Sequence, residues 1–374
     1  MAAELGRAIA HVNLAAVERN CTRLARALSG GAELCAVVKA DGYGHGAAPC
    51  AAAARQGGAT WLAVATAGEA AALRAAGIDG RVLVMGALTG PEIDVAAEAE
   101  ADVVTWSERF VAALAGRPLR LHVKLDSGMG RLGTRDVDVA RRVVAAIDAA
   151  PGLTVAGAMT HFATADEVGD AFLGEQLATF APFAAEVKQT HPDAVIHAAN
   201  SAATLRDPAT HFDLVRCGVA IYGLDPFQRD PAEQDLEPAL DLRSYVAAVK
   251  PIAPGQSAGY GRRFVADHLT TLATIPIGYG DGVRRALTNN ADVVVRGRRH
   301  PLVGTVSMDN ITVDLGAGTD VEIGQRAILI GRDGSQRQTA EELARRIGTI
   351  NYEVLCAISA RVAREYHRDG EAVA

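Results

Sequence analysis

Residues 34–46 read LCAVVKADGYGHG, an apolar run that ends at a lysine and passes into a glycine-rich turn. Seven further runs of this kind follow up to about residue 217, with Ala-rich segments of helical periodicity between them. Alternating strands and helices predict a parallel sheet, and eight units in about 200 residues predict a (β/α)8 barrel. The predicted strands are Leu34–Lys39, Trp61–Val64, Val82–Met85, Asp102–Thr105, Leu119–Leu125, Leu153–Met159, Ala194–Ile196 and Phe212–Val215. The predicted helices include Gly68–Ala76, Ser107–Ala115, Val137–Ala150 and Gly174–Thr190.

Beyond about residue 225 the pattern changes. Pro226, Pro231 and Pro238 predict a long connection, and Gly, Asn and Asp separate the β-like runs that follow it. These runs predict a second, mostly antiparallel domain with the strands Ser244–Val249, Thr270–Ile277, Asp292–Val295, Ile311–Leu315 and Arg326–Ile330. One helix, Ala340–Ile347, is expected to begin after Thr339 as its N-cap.

The predicted fold class is therefore α/β, with an N-terminal TIM-like barrel and a C-terminal, mostly β domain. We place the barrel at residues 10–235 and the β-rich domain at residues 236–374 together with residues 1–9. The early apolar run Ala8–Leu14 is expected to pair with the C-terminal sheet.

The composition fits an ordinary metabolic enzyme. The chain has 374 residues, 49% of them hydrophobic, and a formal charge of −7, which argues against nucleic-acid or anionic-membrane partners. We expect no signal peptide, because residues 1–12 lack its apolar block, and no apolar run reaches the roughly 18 residues needed to cross a bilayer. The five cysteines are odd in number and lack C-x-x-C spacing, so we predict neither a disulfide framework nor a metal site. We expect a cytoplasmic protein with buried, reduced cysteines.

Lys39 is the first candidate for chemistry. An amine at the C-terminal end of a barrel strand lies where barrel active sites are built, and partial desolvation there lowers its pKa and lets it form a Schiff base. The three glycines that follow are expected to let the backbone approach a ligand. On this segment alone, a lysine that reaches from a strand end into solvent is an equally good interpretation.

The segment VVKADGYGHG at residues 37–46 closely resembles the lysine segment of bacterial alanine racemases. These are barrel-type pyridoxal-phosphate (PLP) enzymes with a second β-domain, and further motifs match in the family's order over nearly the whole chain. The resemblance implies interconversion of L-alanine and D-alanine, with D-alanine supplied for peptidoglycan. It also implies that Lys39 carries the PLP cofactor.

The resemblance implies a cofactor site at the barrel mouth. The matching residues are Lys39, Tyr43, His161, Ser201, Arg216, Gly218, Val219 and Tyr352. The loops after strands seven and eight would hold the phosphate through the Ser201 hydroxyl and the Gly218 and Val219 N–H groups. Taken singly, these residues also suit a capping serine, a turn glycine and a buried histidine.

Arg216 matches the residue that faces the pyridine nitrogen of the cofactor in the family. A guanidinium cannot take up or supply that proton, so the nitrogen would stay unprotonated. This arrangement favours proton exchange at Cα over transamination. A surface arginine near a strand end is the ordinary alternative.

Racemisation needs two proton-transferring groups, one on each face of Cα. Lys39 suits one face, and Tyr260, flanked by Gly259 and Gly261, matches the family's catalytic tyrosine. Free tyrosine has a pKa near 10 and would need local tuning; a core or turn tyrosine is the alternative. In the family this tyrosine reaches the other subunit's PLP, which implies a homodimer with shared sites. Met308 and Asp309 match residues near the substrate carboxylate across that interface.

Arg131 lies just past strand five, where its guanidinium suits a carboxylate or the PLP phenolate. Lys124 matches a lysine that the family often carries as a carbamate, which would hold Arg131 in place. The alternative is an ordinary lysine paired with Asp126.

The segment 275–282 resembles the family's access path, in which Tyr279, Ile350 and Tyr352 narrow the route to PLP, and Asp166 and Arg285 match charged residues further out.

Two positions depart from the family pattern. Gly259 replaces a usual serine, and Thr305 replaces an access-path arginine found in many relatives. A more open path makes a broad-specificity alanine/serine racemase the second hypothesis. A non-catalytic PLP-binding barrel is the third and least favoured hypothesis, because such proteins usually lack the second domain.

Overall fold

In the computed structural model, which describes residues 6–373, the N-terminal part forms a closed barrel. Eight parallel strands follow one another around it in sequence order, and the last pairs with the first, Glu33 lying beside Leu214. The strands are Glu33–Val37, Ala59–Val64, Arg81–Val84, Asp102–Thr105, Leu119–Lys124, Leu153–Met159, Val195–His197 and Leu214–Cys217. The predicted barrel is confirmed, with strand limits that differ by up to two residues.

Helices cover the outside of the barrel, and polar caps start several of them. Thr66 and Glu69 form a reciprocal capping box, and Ser107 and Asp136 each accept a hydrogen bond from the first turn of their helix. The helices are Leu14–Ala27, Ala47–Gln56, Ala67–Ala75, Gly90–Glu98, Glu108–Leu114, Val137–Ala149, Phe172–Thr190 and Ser201–Arg206. The 3₁₀ turns Val219–Tyr222 and Pro231–Gln234 follow the eighth strand. The three longest helices bury one mainly apolar stripe each against the strands.

The second domain is built mainly from an eight-stranded sheet. In spatial order its strands are Arg298–Pro301, Asp292–Val295, Arg326–Asp333, Leu240–Tyr245, Ile9–Asn13, Ala363–Arg368 and Glu371–Ala372, with Gln336–Gln338 paired beside Arg326–Asp333. Smaller sheets comprise Ala248–Ile252, Thr270–Ile275 and Ile311–Asp314, and Ser257–Ala258 with Phe264–Val265. All pairs are antiparallel except Ile9–Asn13 with Ala363–Arg368. The predicted pairing of the early apolar run with the C-terminal sheet is confirmed.

One predicted strand, Ser244–Val249, is wrong. The chain here forms two strands, Leu240–Tyr245 and Ala248–Ile252, which belong to different sheets. The sequence Tyr-Val-Ala-Ala-Val at 245–249 carries no polar residue to mark the change of sheet, so periodicity could not separate them. The strands Arg298–Pro301 and Ala363–Arg368 were missed because they are rich in charged residues.

Two short helices, Ala340–Arg346 and Asn351–Cys356, complete the second domain. The second of them packs against the turn Lys39–Tyr43 and so brings the two domains together at the barrel mouth. Within residues 6–373, no helix is both long and apolar enough to span a membrane. Four of the five cysteines are buried and all are free, but Cys356 is exposed, contrary to our expectation.

Candidate active site at the barrel mouth

A cavity of about 490 Å³ opens at the C-terminal ends of the barrel strands. It brings together ten of the residues singled out from the sequence: Lys39, Tyr43, Lys124, Arg131, His161, Ser201, Arg216, Gly218, Val219 and Tyr352. Four of these are cationic side chains, and no aspartate or glutamate is among the described residues that line the cavity. The cavity is therefore suited to an anionic ligand.

Lys39 opens a turn whose backbone is left-handed. Ala40, Asp41, Gly42 and Tyr43 all have φ between 51° and 60°, a region that costs non-glycine residues roughly 1–2 kcal/mol each. The surrounding hydrogen bonds offset this cost: Ala40 N donates to Glu69 Oε1 at 2.7 Å, and Asp41 Oδ1 accepts from Ala47 N at 2.9 Å. Backbone strain held in this way is typical of functional sites.

The glycines after Lys39 serve contacts within the protein. A Cβ on Gly44 would meet the Leu355 carbonyl oxygen, and a Cβ on Gly46 would meet the Tyr366 hydroxyl. Neither glycine lines the cavity. Our expectation that these glycines let the backbone approach a ligand is therefore corrected: they let the turn pack closely on the second domain.

Both lysines in the cavity have lowered pKa values. Burial and the neighbouring Arg131 lower the pKa of Lys39, while burial and Arg216 lower that of Lys124 to about 8. Neither lysine forms an ion pair with a residue in the described part of the chain. The alternative pairing of Lys124 with Asp126 is wrong.

Asp126 serves the loop that carries Arg131 instead. Its carboxylate accepts hydrogen bonds from the Gly128 and Gly130 N–H groups and pairs with Arg135 at 3.2 Å. These contacts order the loop at the point where it enters the cavity.

The end of the cavity beside strands seven and eight offers hydrogen-bond donors. Ser201 Oγ accepts from the Gly218 N–H at 3.0 Å and from the Ala220 N–H at 3.3 Å, so its own proton is available to a ligand. The Gly218 N–H therefore already donates to Ser201, whereas we predicted that it would donate to the phosphate. The Val219 N–H has no acceptor among residues 6–373.

Tyr43 and Tyr352 lie at the same end of the cavity, with ring centroids 6.0 Å apart. A Cβ on Gly218 would collide with the Tyr43 hydroxyl, so glycine at this position is what allows the ring to reach the cavity. Burial raises the pKa of both tyrosines, and both hydroxyls stay protonated as donors.

Arg216 is buried and held by several acceptors. Its NH1 donates to His197 Nδ1 at 2.9 Å, and its NH2 donates to the Thr160 and Ala198 carbonyl oxygens and lies 3.2 Å from His161 Nδ1. Its Nε has no acceptor within residues 6–373 and is left for a group in the cavity. Burial lowers the pKa of Arg216 to about 10, so it remains a cation near neutrality.

Burial also lowers the pKa of His161 well below its ordinary value, and the Arg216 charge adds to this effect. His161 is consequently neutral, and its Nδ1 accepts from Arg216.

The remaining predicted residues do not line this cavity. Tyr260, Met308, Ile350 and Tyr279 are exposed by 75%, 51%, 48% and 44% respectively. Asp166, Arg285 and Asp309 are exposed as well. A single copy of the chain thus leaves the predicted second base outside its own barrel cavity.

The Tyr260 backbone is nevertheless held by a tertiary hydrogen bond. Gly259 and Gly261 have φ of 72° and 69°, and Thr305 Oγ1 donates to the Tyr260 carbonyl oxygen at 2.7 Å. Thr305, noted as a departure from the family pattern, therefore supports the turn that presents Tyr260.

Tyr279 and Met308 lie on two segments joined by backbone hydrogen bonds. Tyr279 N donates to the Ser307 carbonyl oxygen at 3.0 Å, and Gly280 N donates to the Met308 carbonyl oxygen at 2.9 Å. The buried Asp281 then ties this pair to the rest of the domain through Arg7. Asp309 contributes to the same ionic cluster rather than standing free: it lies 3.4 Å from Arg7 and 2.7 Å from Arg361, and Arg361 also contacts Asp281.

Sequence reasoning missed eight residues that line the cavity, of which Asn200 and Cys356 carry a polar or reactive side chain. Cys356 lies four residues after Tyr352 on one short helix, so helical spacing could have placed both on one face. Asn200 caps the helix Ser201–Arg206 through its side chain, a role that its position before an Ala-rich segment would have indicated.

Comparison with known proteins gives a uniform result. The family models "Alanine racemase, N-terminal domain" and "Alanine racemase, C-terminal domain" match residues 12–226 and 239–366. The alanine racemase of Frankia casuarinae is 42% identical over 372 residues, covering 96% of each chain. The alanine racemase of Geobacillus stearothermophilus is 38% identical over 369 residues, covering 96% of this chain and 93% of the relative.

Among solved structures, alanine racemase from Streptomyces coelicolor superposes with a TM-score of 0.91 at 40% identity and covers 98% of each chain. The Bacillus anthracis alanine racemase with bound L-Ala-P has a TM-score of 0.91 at 37% identity, covering 98% of this chain and 96% of that one. On the strength of the cavity, the two matching domains and this agreement along nearly its whole length, the chain belongs to the alanine racemase family of amino-acid isomerases.

Proposed function

We propose that this chain interconverts L-alanine and D-alanine with pyridoxal phosphate bound at the barrel mouth and Lys39 as its attachment point. The observation that carries the proposal is a partly buried lysine that forms no ion pair with any residue from 6 to 373, in a cavity lined by four cationic side chains. The family membership of the chain supports the same reaction.

The residues present fit this cofactor. A phosphate group would accept from the Ser201 hydroxyl, the Val219 N–H and the tyrosine hydroxyls of Tyr43 and Tyr352, all at one end of the cavity. The free Nε of Arg216 would donate to the pyridine nitrogen. When bound, pyridoxal phosphate supplies an electron sink that makes the Cα proton of an attached amino acid removable.

Two residues exchange the proton at Cα. The Nζ of Lys39 serves one face, and its lowered pKa leaves more of the neutral amine available as a base. The Tyr260 hydroxyl of a second copy serves the other face. Because Tyr260 is 75% exposed and lies outside its own chain's cavity, we infer a homodimer in which each cavity is completed by the partner.

Arg131 orients the substrate carboxylate or the cofactor phenolate, and Met308 and Asp309 of the second copy border the same carboxylate. We further propose that Lys124 is carbamylated. Its pKa of about 8 leaves part of it as a neutral amine, which attacks carbon dioxide to form an N–C bond and releases one proton. The resulting anion would pair with Arg131 and place a negative charge in a cavity wall whose described residues include no aspartate or glutamate.

The carbamate has a direct test. Protein equilibrated with ¹³C-labelled bicarbonate should show one carbamate carbon resonance, and Lys124→Ala should lose it. An unchanged spectrum in Lys124→Ala, or no such resonance in the parent protein, would remove this part of the proposal.

The access path is formed by Tyr279, Ile350 and Tyr352, with Asp166 and Arg285 further out. A path bordered by large side chains favours alanine over larger amino acids. The enzyme would act in the cytoplasm, and its D-alanine would be used to build peptidoglycan. The broad-specificity alternative rests on Thr305, which is smaller than the arginine of many relatives. Serine racemised within about threefold of the alanine rate would favour that alternative.

The reaction is tested by incubating the holoenzyme with L-alanine and separating the enantiomers by chiral chromatography. We expect D-alanine from the parent protein and an absorption band of bound cofactor near about 420 nm, a property of the cofactor itself. Tyr260→Phe should keep the band and lose about 10²- to 10⁴-fold in racemisation. Bound cofactor with no D-alanine from the parent protein would contradict the proposal.

Deuterium exchange separates the two bases in the same variant. In D₂O, Tyr260→Phe should still exchange the Cα proton of one enantiomer through Lys39, without inversion. Equal loss of exchange from both enantiomers would mean that Tyr260 does not serve only one face. Tyr245→Phe is a matched control, since this tyrosine lies on a strand of the second domain and should leave both activities unchanged.

A further inference from the structure

A continuous line of hydrogen bonds runs through the barrel interior from Arg216 to Asp102. Arg216 NH1 lies 2.9 Å from His197 Nδ1, His197 Nε2 lies 2.8 Å from His122 Nδ1, and His122 Nε2 lies 3.0 Å from Asp102 Oδ2. All four side chains are buried. Asp102 begins the fourth barrel strand, so the line joins the cavity to the opposite end of the barrel.

Only one arrangement of protons satisfies every contact. A guanidinium can only donate, so His197 Nδ1 must be the acceptor and His197 must carry its proton on Nε2. That proton points at His122 Nδ1, which must therefore be unprotonated as well. His122 then carries its proton on Nε2 and donates it to Asp102.

This arrangement keeps both imidazoles neutral. A second proton on either ring would place two N–H groups against each other at 2.8–2.9 Å. Burial and the Arg216 charge lower the pKa of His197 well below its ordinary value, in agreement with this conclusion.

In the described part of the chain, Arg216 contacts only neutral hydrogen-bond acceptors. Within residues 6–373 it forms no ion pair, and the nearby charged side chains that line the cavity, Lys39, Lys124 and Arg131, are cationic. A buried charge without a compensating charge is unfavourable. The hydrogen-bonded line connects the Arg216 guanidinium to the Asp102 carboxylate through the two histidines. Asp102 itself is held by Arg81 and Arg120 at 2.6 Å each. Burial tends to raise the Asp102 pKa, but the bond from His122 and those arginines lower it overall, so Asp102 is ionised.

We propose that Asp102 is a positioning residue for the reaction, which fixes the proton order of His122 and His197 and thereby holds the Arg216 guanidinium towards the cavity. Its carboxylate never touches substrate; it acts through two neutral imidazoles. The consequence for catalysis rests on the proposed function, whereas the proton order is a property of the cofactor-free protein.

The first test measures the proton order directly. Long-range ¹H–¹⁵N correlation spectra of protein labelled at its histidines should show His122 and His197 as neutral Nε2–H tautomers between pH 6 and 9. The signals are assigned by their loss in His122→Gln and His197→Gln. An Nδ1–H tautomer or a doubly protonated ring at either position in the parent protein would overturn the proposal.

The second test removes the charge. Asp102→Asn keeps an acceptor oxygen for His122 but lacks the negative charge, and it should lower kcat about 10- to 100-fold with little change in KM for alanine. The histidine tautomers should become mixed. Asp79→Asn removes an exposed carboxylate at the same end of the barrel but leaves Asp102 and its partners in place, and it should leave kcat and the spectra nearly unchanged.

The outcomes separate this proposal from the proposed function. A parent protein that makes no D-alanine but shows both Nε2–H tautomers would contradict only the function. Unchanged kcat and unchanged spectra in a folded Asp102→Asn would contradict the positioning role. If that variant does not fold, the spectra of the parent protein still decide the proton order.

Discussion

The barrel mouth and the exposed face of the second domain are built in opposite ways. At the barrel mouth, Lys39, Arg216 and Ser201 line one cavity. Arg216 and Ser201 are buried there and hydrogen-bonded to neighbouring residues. Tyr260 and Met308 accept hydrogen bonds at their backbone carbonyls, but these residues are 75% and 51% exposed. The Tyr260 hydroxyl has no partner among residues 6–373. The difference indicates that one chain supplies a complete half-site at the barrel mouth, the barrel half with Lys39. It presents a second half-site, the second-domain half with Tyr260, to another molecule.

The two halves should respond differently to mutation, and Lys39→Ala is expected to have the largest effect. This change removes both the cofactor attachment and one base, so racemisation should fall by more than about 10⁴-fold and the bound-cofactor band should disappear. The measurements are the chiral assay and the absorption spectrum of the purified protein. Lys250→Ala, an exposed position on a strand, is the control and should behave like the parent protein. An active Lys39→Ala would refute the assignment of the barrel half.

Asp281→Asn tests the second-domain half. Asp281 is fully buried and pairs with Arg7 at 2.8 Å and Arg361 at 3.2 Å. Its loss should destabilise the fold by about 2–3 kcal/mol, less than a fully buried pair because both arginines are partly exposed. Racemisation should fall, because the segments of Tyr279 and Met308 loosen, while cofactor binding by the barrel half stays unchanged.

Urea unfolding and a cofactor titration measure the two effects of Asp281→Asn separately. Asp94→Asn breaks an exposed pair with Arg117 and should cost about 0–1 kcal/mol. Equal losses of stability in these two variants would contradict the role given to the buried Asp281 pair. Weakened cofactor binding in Asp281→Asn would mean that the two halves are not independent.

His45 predicts a smaller, pH-dependent effect on the barrel half. It stacks on Tyr222 at 4.4 Å, and burial lowers its pKa from 6.5 to about 4 in the folded state. The unfolded chain therefore binds the proton more readily, so the stability contribution is present above about pH 6.5 and is lost as the pH falls towards 4. We expect a loss of about 1–2 kcal/mol between pH 7 and pH 5.

Urea unfolding at both pH values measures this loss. His45→Asn, which retains a donor near the Nδ1 position, should show a smaller difference between the two pH values, whereas the exposed His268→Asn should match the parent protein. The same pH dependence in all three proteins would exclude His45 as its source.

The sequence predicted the barrel well because its signal is local. Each strand is a short apolar run followed by a helix, and the cavity residues stand at the strand ends, where Lys39 and Arg216 could be recognised from their position and from the family motif. The polar strands Arg298–Pro301 and Ala363–Arg368 gave no such signal, because their pairing partners rather than their own residues make them strands.

The hydrogen-bonded line from Arg216 to Asp102 could not be predicted either. It joins side chains from strands four, five, seven and eight, and only the closure of the barrel brings them into contact. The left-handed turn at Lys39–Tyr43 was hidden for a related reason, since Ala40 and Asp41 adopt a backbone that their own preferences oppose. Tertiary contacts determine both features.

The central claim is that Lys39 and Tyr260 of different copies form one active site. Mixing Lys39→Ala with Tyr260→Phe, unfolding and refolding them together, tests it most directly. A mixed dimer would hold one site with both intact residues and one with neither, so an equal mixture should recover about a quarter of the parent activity. Each variant refolded alone should stay inactive. If both residues served the same chain's site, the mixture would recover nothing, and the shared-site account would be wrong.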